Sequence, residues 1–188
     1  MTIRTATAHL VGVSPYSQSG YISTEKLDGE GGDAFEKRTW RDRCHTMPDG
    51  RLFIPPMAFK KALDDGASYS PMKIKGRGAA TYSKLFRGGV IVSEPLVLPI
   101  KKDDVPGEWF FMDSQPSLGK KSPRVHRCYP RVDEWEGDVV FHVLDPTITK
   151  DIFEGALVTA GQFIGIGRFR PQNAGYYGRF RVESIKWS

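Results

Sequence analysis

Cysteine is scarce: the 188 residues hold two, Cys44 and Cys128. A disulfide framework needs more than that, so free thiols are expected. No apolar run approaches the ~18 residues that a membrane-spanning helix needs. The first residues, Met1 to His9, lack a basic segment followed by an apolar stretch. No secretory signal is therefore expected, and a cytoplasmic location is. Internal repeats and low-complexity tracts are missing as well. What is present suits one folded domain over residues 1–188. Hydrophobic residues make up 39% and charged residues 26%, too apolar for a disordered chain. The 20 glycines and 13 prolines point to a loop-rich, β-containing domain rather than a helical bundle.

Charge is unevenly spread. Lys and Arg number 27 against 22 Asp and Glu, a formal net charge of +5. Residues 60–87 carry seven bases against two acids, and residues 168–188 carry five against one. These two stretches hold more positive charge than the whole chain nets, so the remainder is slightly acidic. That asymmetry fits an anionic partner such as nucleic acid. Solvated charge on unrelated surfaces is the plain alternative. No membrane partner is expected.

The β-branched residues from Thr5 to Val13, closed by Ser14-Pro15, predict a first strand. Residues 14–52 read as a long polar insertion with one short helix around Phe35–Arg43. Arg51–Ile54 is a short extended segment. Pro55-Pro56 then opens a helix in which Met57, Phe59, Ala62 and Leu63 share one stripe, with Gly66 as the expected stop. Residues 67–88 read as a basic loop. Gly89–Ile100 is apolar, but Pro95 and Pro99 confine it to an edge strand or two short strands. Residues 101–136 form the second insertion. Asp138–Leu144 predicts a strand, and Asp145-Pro146-Thr147 opens a helix whose apolar spacing runs to Ala160, ending at Gly161. The chain closes with Phe163–Phe169, a glycine-rich turn and Tyr177–Trp187, whose alternation suits a terminal strand. A hairpin over 163–187 is the alternative. Strand, helix, strand, twice over, is the ferredoxin-like (RRM-like) βαββαβ plan: an α+β domain with an antiparallel sheet, here with two long insertions.

The clearest local feature is the run from Gly165 to Arg181. Gly165, Gly167, Gly175 and Gly178 permit positive φ and close backbone approach. Arg168, Arg170, Arg179 and Arg181 surround them, together with Phe169, Tyr176 and Tyr177. Exposed glycine N–H groups flanked by arginine can cradle phosphates, while aromatic rings offer platforms for bases. A dinucleotide fingerprint is excluded because the helix precedes the glycines, and a P-loop because no Gly-Lys-Ser/Thr follows. A hairpin whose glycines permit a bulge and whose Phe169, Tyr177 and Phe180 fill the core is the structural alternative.

Three segments, in order, resemble the RAMP superfamily, the ferredoxin-like RNA-binding proteins of CRISPR systems, and among them the backbone subunits of effector complexes. Leu10-Val-Gly-Val-Ser-Pro-Tyr-Ser17 resembles the family's opening strand and turn. The run Leu52-Phe-Ile-Pro55-Pro-Met-Ala-Phe59-Lys60-Lys-Ala62-Leu63 is similar to its I-P-G-S-S-L-K-G-A-L-R helix start, with Pro56-Met57 and Lys61 standing where the family has Gly-Ser and Gly. Gly165–Phe180, after a helix, resembles its C-terminal glycine-rich loop. The resemblance implies non-catalytic binding of single-stranded RNA, or of single-stranded DNA, along a basic face. Its implied partners are copies of the chain itself or CRISPR effector subunits.

The residues themselves give the same inference. Lys60, Lys73, Lys75 and Arg77 are phosphate candidates in the first basic stretch, followed by Lys84 and Arg87. In the second they are Arg168, Arg170, Arg179 and Arg181. Tyr176 is the stacking candidate, and Tyr82, Phe86 and Tyr177 interleave with the bases. Lys120, Lys121, Arg124 and Arg127 suggest that the second insertion is a finger reaching a neighbouring copy or the bound strand. Two other readings stay open. One is a phage-made mimic of such a subunit that blocks a CRISPR effector by binding protein. The other is an endoribonuclease using His9, because some RAMP relatives that cut RNA use a histidine as general acid or base. Cys44, His45, His126 and Cys128 make a weak zinc candidate at unusual spacing, so no metal or other cofactor is expected. The acids Asp28, Glu30, Asp33, Asp103 and Asp104 read as solvated loop charge.

Overall fold

A computed structural model describes residues 3–114 and 123–188. Its centre is β1 (Arg4–Gly12), in which Ala6, Ala8 and Leu10 alternate into the core. β1 pairs on one side with β8 (Glu136–Val143) and on the other with β9 (Phe180–Trp187). A short β4 (Val90–Ile91) adds to β8, giving an antiparallel four-stranded sheet of order β4-β8-β1-β9. Two helices cover its apolar face, α2 (Pro56–Tyr69) and α4 (Lys150–Thr159). They bury Phe59, Leu63, Phe153 and Leu157 against Phe141 and Val143. Among the described residues there are two further α-helices, α1 (Gly32–Thr39) and α3 (Ser83–Gly89). The protein is thus α+β with antiparallel sheets, as the sequence predicts. Among the described residues, no helix is long and apolar enough to cross a membrane.

Among the described residues, both segments expected as insertions carry regular elements. In the first, α1 and the 3₁₀ turn Trp40–Arg43 occupy the position expected for a short helix. The second folds as a hairpin of β6 (Gly107–Asp113) and β7 (Arg124–Val132), and β7 also pairs with β2 (Tyr16–Ser17). Lys120 and Lys121 lie outside the described residues. The proline-broken segment is two short strands in different sheets: β4 joins the central sheet, while β5 (Leu96–Lys101) pairs with β3 (Arg51–Ile54). One buried carboxylate ties both insertions together. Glu36, 1% exposed, accepts from Arg43 at 2.8 and 3.1 Å, from Arg127 at 3.0 Å and from the Cys128 amide at 2.8 Å.

Four sequence expectations need correction. Gly66 does not end α2; a Cβ there would fall 2.6 Å from the Ala156 carbonyl oxygen, so its glycine admits α4. Residues 67–88 are not all loop, since they include the end of α2 and most of α3. Asp145 does not start α4: it accepts from Thr147 N in a preceding turn, and Thr149 is the N-cap. Phe163–Phe169 is not a strand. The chain passes from α4 through a π-helical turn, Ala160–Ile164, into irregular backbone, so no hairpin spans 163–187.

Candidate nucleic-acid interface

The three segments of the resemblance converge on one cleft of about 460 Å³. Tyr16, Gln18 and Ser19 form one wall, and Pro55, Met57 and Ala58 at the start of α2 form another. Gly167, Arg168 and Arg170 close it from the glycine-rich loop. The loop is laced to the first segment: Arg168 N donates to Ser17 O at 3.0 Å and Gly178 N to Pro15 O at 2.8 Å. Gly178 has φ +71°, and a Cβ there would overlap the Ile166 carbonyl oxygen. Three glycine amides are consumed by this lacing, Gly165 N on Ala160 O, Gly175 N on Arg170 O and Gly178 N on Pro15 O. The expectation of a cradle of free glycine N–H groups is corrected at those positions. The glycines make the loop compact, and the cleft's anion chemistry falls to side chains.

Arg168 is the side chain that matters most. It is 8% exposed, and its guanidinium carbon lies 3.4 Å from the ring centroid of Tyr129, 3.9 Å from Phe169 and 4.7 Å from Phe110. Both terminal nitrogens are buried without a hydrogen-bond partner. Burial pulls its pKa down from the ordinary arginine value, opposed by Tyr129 and Tyr177. Beside it, the Tyr177 hydroxyl donates to Glu108, whose carboxylate lies 3.5 Å from Arg131. Burial and that hydrogen bond push the Tyr177 phenol up to about 12. The other polar walls are already satisfied. Gln18 donates to Phe53 O and accepts from His45 N, and Lys61 pairs with Asp65 at 2.6 Å. Arg170 is half-buried and bonds Gln172 at 3.1 Å.

The other predicted residues scatter. Lys60 is corrected as a phosphate ligand: it is 9% exposed, paired with Asp64 at 2.5 Å, and donates to the Phe86 and Arg87 carbonyls. It ties α2 to α3. Lys73, Lys75, Arg77, Lys84 and Arg87 are exposed without ion pairs among the described residues, but none lines the cleft. Arg179 bonds Gln162 O, and Arg181 pairs with Glu183 at 2.9 Å; both border a second cavity of about 520 Å³. Tyr176 is exposed, whereas Tyr82, Phe86 and Tyr177 are buried and offer no free ring face. His9 meets Asp138 at 2.7 Å on the sheet face away from the helices. Cys44, His45, His126 and Cys128 do not converge, and among the described residues no cluster of His, Cys, Asp or Glu could hold a metal ion. Tyr129 and Phe110 were missed by sequence reading. Their alternation within 107–132 was the available signal.

No protein-family model and no curated protein matches the chain by sequence. Solved structures match by shape. A chain in the cryo-EM structure of the Type III-B Cmr-beta bound to cognate target RNA aligns over 98% of this chain with a TM-score of 0.56 at 11% identity. The two chains share a fold. This chain spans 60% of that chain's length. Cmr6 from Pyrococcus furiosus aligns over 97% of this chain and 99% of its own, at 13% identity and a TM-score of 0.49. A chain of a CRISPR RNA-guided surveillance complex aligns over 98% and 68%, at 10% identity and a TM-score of 0.41.

Proposed function

We propose that this chain binds single-stranded nucleic acid, RNA foremost, without turnover, and that the cleft between α2 and the glycine-rich loop receives its phosphates. The single observation that carries this reading is the unpartnered guanidinium of Arg168. A buried, hydrogen-bond-starved charge is costly, and a phosphodiester oxygen pair satisfies a guanidinium bidentately. Arg170 stands beside it on the same wall. The exposed bases of 73–87 add a sequence-independent attraction to the strand. We read β1-α2-β4 and β8-α4-β9 as the two halves of a split βαβ, the ferredoxin-like plan of a RAMP backbone subunit. On this reading the partners are further copies of the chain or other effector subunits.

The test is fluorescence anisotropy with labelled single-stranded RNA, single-stranded DNA and duplex of equal length over a salt series. Single-strand binding that weakens steeply with salt, and that falls in Arg168→Met and Arg170→Ala, is the expected result. Absence of binding to all three at low salt would overturn the proposal.

A further inference from the structure

The hairpin that holds Arg168 has a second, open face. On β6, Phe110 points inward to the guanidinium of Arg168, so its neighbours Trp109 and Phe111 point the other way. They remain 45% and 53% exposed. Trp40 and Trp135 are buried and Trp187 is half-buried, so Trp109 is the indole most open to solvent. Two exposed aromatics at i and i+2 on one strand form a continuous apolar strip that water solvates poorly. Cationic and polar groups frame the strip. The Arg124 guanidinium carbon lies 4.9 Å from the Phe111 centroid, and the His126 ring lies 4.9 Å from the same ring. Trp109 and His126 then form a groove of about 270 Å³ with Asp33 and Lys37 of α1.

We infer that this groove is a stacking platform for unpaired nucleobases, with Trp109 as its floor. The inference rests on the single-strand reading above and adds base contacts to a site so far made of phosphate contacts. A nucleobase fits the chemistry: it offers a π face to Trp109 and polar edges to Lys37 and to the Asp33–His126 pair, whose members lie 3.3 Å apart. Continuity also favours it over a second protein copy. The platform and the unpartnered guanidinium of Arg168 lie on opposite faces of β6, the edge strand of its sheet, so a single flexible chain crossing that edge reaches both.

Intrinsic tryptophan fluorescence, titrated with a single-stranded oligonucleotide and with an abasic strand of equal length, separates the two ideas. Stacking is expected to quench the emission with the base-bearing strand and not with the abasic one. Trp109→Phe is expected to remove most of the quench, and Trp109→Ala with Phe111→Ala to weaken binding about 10-fold or more, while Arg168 remains. Anisotropy read in parallel keeps the outcomes distinct. Binding of both strands with no quench, or an unchanged affinity in the double variant, overturns the platform and leaves the phosphate cleft standing. No binding of either strand overturns both. Blue-shifted emission that depends on protein concentration alone assigns the face to a second copy and also overturns the platform.

Discussion

The Arg168 guanidinium lies flat against Tyr129, its carbon 3.4 Å from the ring centroid, while Arg43 covers the same ring at 4.9 Å. Cation–π stacking holds the guanidinium of Arg168 in place without using its terminal N–H groups. The arginine is therefore positioned by its face, while the nitrogens at its edge are buried and unpartnered. Replacing it with methionine keeps an apolar side chain against the rings but removes the guanidinium and its desolvated charge. Urea denaturation of Arg168→Met is expected to give a midpoint equal to or above that of the wild type. Single-strand affinity should fall about 10- to 100-fold, the worth of a hydrogen bond to a charged group. A midpoint well below wild type would show that Arg168 is a core staple instead.

Arg170 is more open and makes one hydrogen bond, to Gln172. If it neutralises one phosphate, Arg170→Ala should flatten the plot of log affinity against log salt by about 0.7. An unchanged slope would remove it from the interface.

Glu36 serves two arginines and an amide from inside the protein. Glu36→Gln leaves Arg43 and Arg127 without their counter-charge, and breaking a buried pair costs about 3–5 kcal/mol. Urea unfolding followed by circular dichroism should record a loss of this size. A change within ~0.5 kcal/mol would mean that the network contributes little beyond packing.

The glycines divide into two kinds. Gly178→Ala places a methyl group on the Ile166 carbonyl at a positive φ, so a loss on the order of 3 kcal/mol is expected, with the cleft disrupted. Gly88→Ala meets nothing within 4 Å in α3 and should be neutral or stabilise by about 0.5–1 kcal/mol. Thermal melts of the two variants check both statements.

Burial pushes the thiols of Cys44 and Cys128 up to about 11, from an ordinary value near 9. At neutral pH both are protonated, so alkylation by iodoacetamide should be slow when folded and rapid in urea. Because the folded state holds these protons more tightly than the unfolded one, this contribution to stability is complete below pH ~9. It is lost as pH rises from ~9 through ~11. Replacing both cysteines with alanine should blunt the alkaline decline in melting temperature.

What the sequence disclosed was whatever depends on near neighbours. The alternation of Ala6, Ala8 and Leu10 marked β1, and the stripe of Phe59, Ala62 and Leu63 marked α2. The glycines marked the loop that reaches the cleft. Contacts between distant segments were not legible. Gly66 reads as a helix stop until Ala156 is seen against it. Lys60 reads as a surface base until Asp64 and two carbonyls of α3 enclose it. Arg168 reads like any loop arginine, because Tyr129 and Phe110 arrive from an insertion that sequence reading left without structure.

The pairing of β1 with β9 has a consequence for how the protein is made. A ribosome delivers the first strand early and its second partner only at Phe180–Trp187. At ~5–20 residues per second, the nascent chain waits on the order of ten seconds or longer before that edge is filled. The loop that completes the cleft is translated just ahead of β9, so the cleft is assembled late. Until then one edge of β1 stands unpaired on the polysome, where chaperone capture competes with misassociation between neighbouring chains.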